Sequence, residues 1–410
     1  MTSPLTIDVL RNAVDGTAAA FRCRRRLQPG GGQGDKVFPP TFAGAVYAIE
    51  QRRVPGREGP VTCVLLDSVQ SQANRMELAL QEAVDGGRLR MPLVVVDFSE
   101  CAPTGDIEAD VKAGRLIDSV GRITSLQVPH RLADAILRDS QIDGVAFRQS
   151  DKGNALNQVS VADATAVFEL CPTALIFGMW DSTGPKGGLG PKFERAIVSE
   201  IVGIGAEWHE DYRARGVRRD PLEIRAAVKV LKAADKSWSV AEPKAKGATE
   251  PSKVNHSSVP FDSANSGVTI EYAEQTTTLS LICLRRLRFP VSGRPHANTD
   301  TAARTVLAAL GLCAATLAFE AGMDLRSRCL LWPEAVMEWE LLDKPGTASK
   351  TFALSGEASI GLLDEAIGMA RQAALRWDET PITLRPSADL IKLVRLSQLE
   401  ATREGSEESR

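Results

Sequence analysis

Residues 61–84 read VTCVLLDSVQSQANRMELALQEAV, and the change of period inside this stretch sets the fold class. An apolar, β-branched run of strand length stops at Asp67, and from Val69 the apolar residues recur as Val69, Ala73, Met76 and Leu80. That four-then-three spacing is the stripe of a buried helix face. A strand over 61–66 feeding a helix over 67–84 marks the chain as mixed α and β. Ser68, Ser71, Asn74 and Arg75 fall on the opposite side of the helix. Asp67 and Gln70 read as a capping pair, and the unpaired N–H groups of a helix start are where an anion docks. An ordinary solvated face carries Lys and Glu. Uncharged Ser, Gln and Asn around one Arg read either as a hydrated helix or as a surface that grips phosphates, sugars or another subunit.

With 410 residues, 43% of them hydrophobic, the chain can bury a sizeable core in one large domain or two ordinary ones. No run is read as approaching the roughly 20 apolar residues of a bilayer span. MTSPLTIDVLRN at the start lacks the charged-then-apolar order of a signal peptide, so the expected location is the cytoplasm, with no membrane partner. Seven cysteines, at 23, 63, 101, 171, 283, 313 and 329, include no C-x-x-C pair. They point to buried thiols, not to a zinc knuckle or a disulfide framework. The net charge of −3 argues against a uniformly basic nucleic-acid binder. Local charge is what phosphates feel, however, and here it is segregated.

Residues 17–27, TAAAFRCRRRL, alternate as a strand with Arg22, Arg24 and Arg26 on one face and Phe21, Cys23 and Arg25 on the other. A glycine loop follows (PGGGQGDK, 29–36), then the proline-stiffened VFPPTF of 37–42. A further strand is expected over 92–98, and helices over 129–139, 192–214 and about 301–320. Lys, Ser, Pro, Gly and Ala dominate 240–268, which places a mobile or thumb-like insertion at about 240–280. TTTLSLICLRRLRFP (276–290) returns to strand with Arg285, Arg286 and Arg288. The body spans 1–398 as a single domain, and 399–410 form a polar tail.

Ordinary catalytic motifs are missing. In 129–139, His130 and Asp134 stand four apart, as a base and its partner or as two metal ligands would; Asp134 and Arg138 stand in the favourable order for a helical ion pair. Four histidines without a second ligand pair make a dedicated metal site improbable. CPTALIFGMWDSTGPKGGLGPKFER (171–195) reads as an apolar strand, an Asp-Ser-Thr run and a glycine loop carrying Lys186 and Lys192. The loop reads either as a mobile connection or as a cradle for a phosphate backbone. Neither glycine loop matches the phosphate-binding P-loop, and no serine or cysteine sits in a nucleophile motif. Asp67, Asp139 and Asp181 close apolar elements, the positions where metal-dependent nucleases gather carboxylates.

Several blocks together carry a family resemblance: LQPGGGQGDKVFPPTF (27–42), LLDSVQSQANRMELAL (65–80), SLQVPHRLADAILRDS (125–140), PTALIFGMWDSTG (172–184), RRDPLEI (218–224), PSKVNH (251–256) and LICLRRLRF (281–289). In this order they resemble the RAMP backbone subunit of the type I-G CRISPR Cascade complex, formerly called type I-U. The resemblance runs from about residue 17 to 290. It departs from the family pattern after Asn255-His256, where Gly-Asn is expected and Ser257 and Ser258 stand.

The resemblance implies an α+β fold with an RRM-like (ferredoxin-like) palm, enlarged by insertions into a hand shape. It implies a non-enzymatic scaffold that polymerises along a CRISPR guide RNA and presents it to target DNA, sequence being read by pairing. Implied partners are the guide, target DNA through the guide, other copies in a helical filament, the large and guide-processing Cascade subunits, and a helicase–nuclease. No cofactor and no metal are implied. Such binding needs donors to phosphate and 2′-OH groups. The expected RNA contacts are Arg22, Arg24, Arg26, Ser71, Asn74, Arg75, His130, Arg131, Lys186, Arg285 and Arg286. The rivals are a metal-dependent RNA endonuclease using the loop aspartates, and a module that docks only proteins.

Overall fold

The computed structural model describes residues 2–43, 46–207, 224, 227–233, 237–242, 244–254, 256 and 267–407. Ala20–Pro29 (β1) shows the alternation expected of its sequence: Phe21, Cys23, Arg25 and Leu27 are buried, while Arg22, Arg24 and Arg26 emerge on the other face. Ile49–Arg53 (β2) and Pro60–Asp67 (β3) form an antiparallel pair, and Val69–Asp85 (α2) follows β3 at once. Ile7–Asp15 (α1) precedes β1. Ile197–Ile204 (β4) and Tyr272–Ser280 (β5) pair antiparallel along their full lengths. Ala297–Glu320 (α3), Glu338–Leu342 (β6), Lys350–Ala353 (β7) and Gly356–Gln372 (α4) complete the frame.

The largest sheet has ten strands and runs Ser3–Pro4, β7, β6, β1, β5, β4, β3, β2, with Leu330–Pro333 also paired to β1. Taken in chain order, β1, α2, β4, β5, α3 and β6 trace a β-α-β-β-α-β path whose spatial order is β6-β1-β5-β4, with antiparallel neighbours throughout. That is the split-βαβ, ferredoxin-like arrangement. β3 and β2 extend it beyond β4. A smaller five-stranded sheet holds Val94–Asp97, the strand expected over 92–98, beside Ile382–Pro386.

One face of the large sheet is covered and the other is open. On the covered face α3 packs against α1, α2 and α4. Gly311 brings it close to the sheet, since a Cβ there would lie 3.2 Å from the Leu279 side chain. Being apolar on all sides, α3 is a core helix. Among the described residues it is also the one helix long and apolar enough to cross a membrane by length and composition, which corrects the sequence reading that no such run exists. Its most apolar window is 89% buried inside the fold. The seven cysteines are free thiols, five of them buried.

Several local expectations fail for identifiable reasons. Residues 197–204 are strand, not helix: Ile197, Ile201 and Ile204 satisfy helical spacing as well, but a β-branched segment between two partner strands goes to the sheet. The helix expected over 129–139 is a 3-10 turn, Arg131–Ala133, followed by Ala135–Arg138. Arg131 there holds φ +51°, and Asp134 caps the second turn by accepting from the Ile136 N–H at 3.0 Å. Thr173–Phe177 is a short helix where an apolar strand was expected. The strand expected over 276–290 ends at Ser280, whose hydroxyl caps Leu281–Arg285 as helix. The insertion expected at about 240–280 cannot extend through 272–280, because those residues are β5, a central strand. Residues 218–223 and Ser257 and Ser258 lie outside the described residues.

Candidate nucleic-acid interface

The start of α2 organises the site. Ser68, not Asp67, is its cap, with its hydroxyl accepting from the Ser71 N–H. Asp67 is buried and accepts from the Ser71 hydroxyl at 2.8 Å, Gln72 Nε2 at 2.7 Å, Arg75 Nε at 3.0 Å and Arg326 at 3.2 Å. Arg75 also donates to the Leu325 carbonyl at 2.6 Å. Ser71 and Arg75, both expected RNA contacts, are thus engaged in the junction of strand and helix. Gln70 and Asn74, one turn apart, stay exposed.

Beside them opens a cleft of about 760 Å³. Glu77 and Arg131 form its buried support, a two-point ion pair at 2.7 and 2.8 Å. Arg131 also donates to the Gly178 carbonyl at 2.9 Å, tying α2 to the 177–180 segment. Burial pushes the Glu77 carboxyl up, opposed by the Arg131 charge. Arg131, expected as an RNA contact, is thus a buried cation paired with Glu77. The walls come from a short ribbon, Met179–Trp180 against Lys192–Phe193. Met179 and Phe193 point into the core, whereas Trp180 is 54% exposed, with Lys192 Nζ 5.6 Å from the ring centroid.

Arg195 reaches across to donate to Gln70 Oε1, and Gln70 in turn donates to Asn74 Oδ1 at 3.2 Å. Burial, then the like charge of Arg131, pulls the Arg195 guanidinium below its ordinary pKa. His130 completes the rim. Its link to Asp134 runs from its backbone N–H to the carboxylate at 3.2 Å, so the pair is a turn contact and not a base–acid dyad. Glu194, also on the rim, is held by Arg286. Lys186 is exposed on the glycine loop after Trp180 and has no ion-pair partner among the described residues.

The open sheet face is the second basic region. Arg22 donates to Glu340 twice, at 2.8 and 2.6 Å, Arg24 pairs with Glu274 at 2.7 Å, and Arg26 stacks 4.2 Å from the Tyr272 ring. Arg52 on β2 meets Glu200 at 2.8 Å. Burial raises the Glu340 carboxyl, but hydrogen bonds from Arg22 and Ser349 outweigh it and leave it below the usual range. The face is a lattice of paired charges. Behind it, Arg25 lies in the core, 3.3 Å over the Phe319 ring and bonded to Gln275, and burial pulls its pKa down to about 10. Arg285, another expected RNA contact, donates to the Ala18 carbonyl at 2.6 Å and so braces the link between α1 and β1.

The loop aspartates weighed for metal-dependent cleavage each have a separate arginine: Asp67 has Arg75 and Arg326, Asp139 has Arg138, and Asp181 has Arg148. The cleft itself unites only Asn74, His130 and Arg131 of the expected contacts. Gln70, Trp180, Lys192 and Arg195 were not expected in it. The available signal was the lone Trp180 directly before Asp181-Ser182-Thr183-Gly184, an aromatic ring where an apolar run gives way to a polar loop.

Residues 21–208, from β1 to just past β4, match the family described as CRISPR-associated protein GSU0053. The match is a similarity to a CRISPR-associated protein family over somewhat less than half of the chain. Every residue named in the cleft lies within the matched span. No curated protein matches the chain. The cleft thus combines amides, the cations Lys192 and Arg195, an exposed indole and one rim carboxylate, Glu194.

Proposed function

We propose that this protein is the guide-RNA-binding backbone subunit of a type I-G Cascade effector complex, acting in the cytoplasm as a scaffold and not as a nuclease. The observation that carries the reading is the cleft at the start of α2. It presents Asn74, His130, Lys192 and Arg195 on a ferredoxin-like frame, inside the span similar to CRISPR-associated proteins. Neutral amide donors with a few cations favour backbone and 2′-OH contacts that tolerate any spacer sequence. In this reading Lys186 supplies an outlying phosphate contact along the same RNA, whereas Arg22, Arg24 and Arg286, each held by a glutamate, and Arg26, stacked on Tyr272, add little, and further copies continue the filament. Adjoining copies would meet head to tail, the geometry that extends without closing. The guide-processing subunit, the large subunit and the helicase–nuclease would join this filament, and target DNA would reach it through the guide.

The test is to co-express the chain with a CRISPR array and its processing subunit, purify it, and size and sequence the bound RNA. Spacer-containing RNA of uniform length in a large multi-copy particle is the expected result. A clean monomer without RNA sinks the reading.

A further inference from the structure

We propose that the cleft holds one unpaired base of single-stranded RNA stacked on the indole of Trp180, with Lys192 and Arg195 placed for the flanking phosphates. This rests on the RNA-binding reading above and adds to it a defined base site. An indole that is 54% exposed at the wall of a 760 Å³ cleft leaves a large apolar ring in water, although its ribbon neighbours Met179 and Phe193 are buried at 5% and 4%. The ring projects from a ribbon whose alternate residues are anchored in the core, with Lys192 towards one of its faces. A cavity of that volume lies within the range that accommodates a small organic ligand. The Lys192 ammonium over the same ring, 5.6 Å from its centroid, puts a cation within reach of the phosphate attached to any base lying there. Gln70 and Asn74 offer amide groups that can both donate and accept, so the site need not favour one base edge.

The open sheet face offers no comparable platform. Ferredoxin-like RNA binders of the RRM type stack bases on aromatics of the sheet, but Tyr272, on the open face of β5, is only 9% exposed and lies beneath Arg26. The stacking function has moved from the sheet to the rim of α2.

The experiment uses the full chain with fluorescein-labelled twelve-residue oligoadenylate and oligouridylate, and with inorganic polyphosphate as a probe of charge alone. Trp180→Ala is expected to lose about tenfold in RNA affinity, the lower part of the range for one base–aromatic stack, with oligoadenylate affected more. Trp180→Phe should recover most of that loss. Polyphosphate binding should be the same in all three proteins. The indole signal quenched by RNA should be present in the wild type and absent from Trp180→Phe. RNA affinity unchanged in Trp180→Ala, or a loss equally large for polyphosphate, overturns the base site while leaving RNA binding intact. A wild-type chain that binds neither RNA overturns the proposed function and the base site with it. The side chain is mostly solvated, so the variants should keep the wild-type melting temperature.

Discussion

The two basic regions of this protein differ in what their cations are already doing. On the open sheet face, Arg22, Arg24 and Arg52 each meet a glutamate within 2.8 Å. At the cleft, Lys192 and Arg195 meet a ring and an amide, and no salt bridge to either is found among the described residues. A run of arginines is conspicuous in sequence, yet a cation whose charge is spent on a neighbouring carboxylate attracts phosphate weakly. Two scattered cations without a direct carboxylate partner among the described residues keep their reach. What decides a binding surface is the uncompensated charge, and that depends on which strands lie side by side.

The largest expected effect tests what the cleft stands on. Arg131→Ala leaves Glu77 buried without its partner, and should destabilise the fold by about 3–5 kcal/mol, read as a lowered urea midpoint. Replacing both with apolar residues, Arg131→Met with Glu77→Leu, should restore much of that stability, because neither charge is then left unpaired. A midpoint unmoved in the single variant would mean that the pair does not support the cleft.

Next comes the comparison itself. Lys192→Ala with Arg195→Ala should weaken RNA binding about tenfold near 0.1 M salt and lower the slope of log affinity against log salt by about 1–2. Arg22→Ala with Arg24→Ala should change affinity by about twofold or less. Equal losses from the two pairs would break the distinction. A smaller effect sharpens it from the other side: Glu340→Gln with Glu274→Gln frees the two arginines, and RNA affinity at low salt should rise by roughly two- to threefold. No rise would show that something besides the glutamates keeps RNA from the sheet face.

The smallest effect concerns pH. Glu340 has its folded pKa depressed, so its contribution to stability is present above its unfolded value and lost as pH falls through the folded one. Because the pair with Arg22 is partly solvated, the contribution is below about 1 kcal/mol. The stability gap between wild type and Arg22→Ala, measured by urea titration, should therefore narrow between pH 6 and pH 3. A gap that widens on acidification would reverse the sign assigned to this pair.

How much was legible in the sequence follows from how local each signal is. The alternation of β1 and the apolar stripe of α2 are properties of the segments themselves, and both elements form where their patterns say. Residues 173–177, 197–204 and 281–285 were misread because short apolar runs satisfy both periods, and neighbours far away in sequence decide between them. The site suffered most from this. Ser71, Arg75, Arg131 and Arg285 have donor groups of the right type, but Asp67, Glu77 and the Ala18 carbonyl claim them. Only the packed fold reveals those partners. Trp180 and Arg195, conversely, become a site through a ribbon and a helix far apart in the chain, Arg195 and Gln70 being separated by 125 positions.

The position of β1 in the sheet also shapes the life of the nascent chain. Its neighbours β5 and β6 lie far downstream, with the Arg25–Gln275 contact spanning 250 residues and the Arg22–Glu340 contact 318. At about 5–20 residues per second of synthesis, β1 waits roughly 10–50 s on the ribosome before β5 emerges. For that interval the glutamates that will neutralise Arg22 and Arg24 do not yet exist, and the segment is an unfolded basic tether close to ribosomal RNA. Such long-range pairing is slow to form in any case. A truncation before residue 272 would leave β1 permanently without its partner strands, its arginines uncompensated.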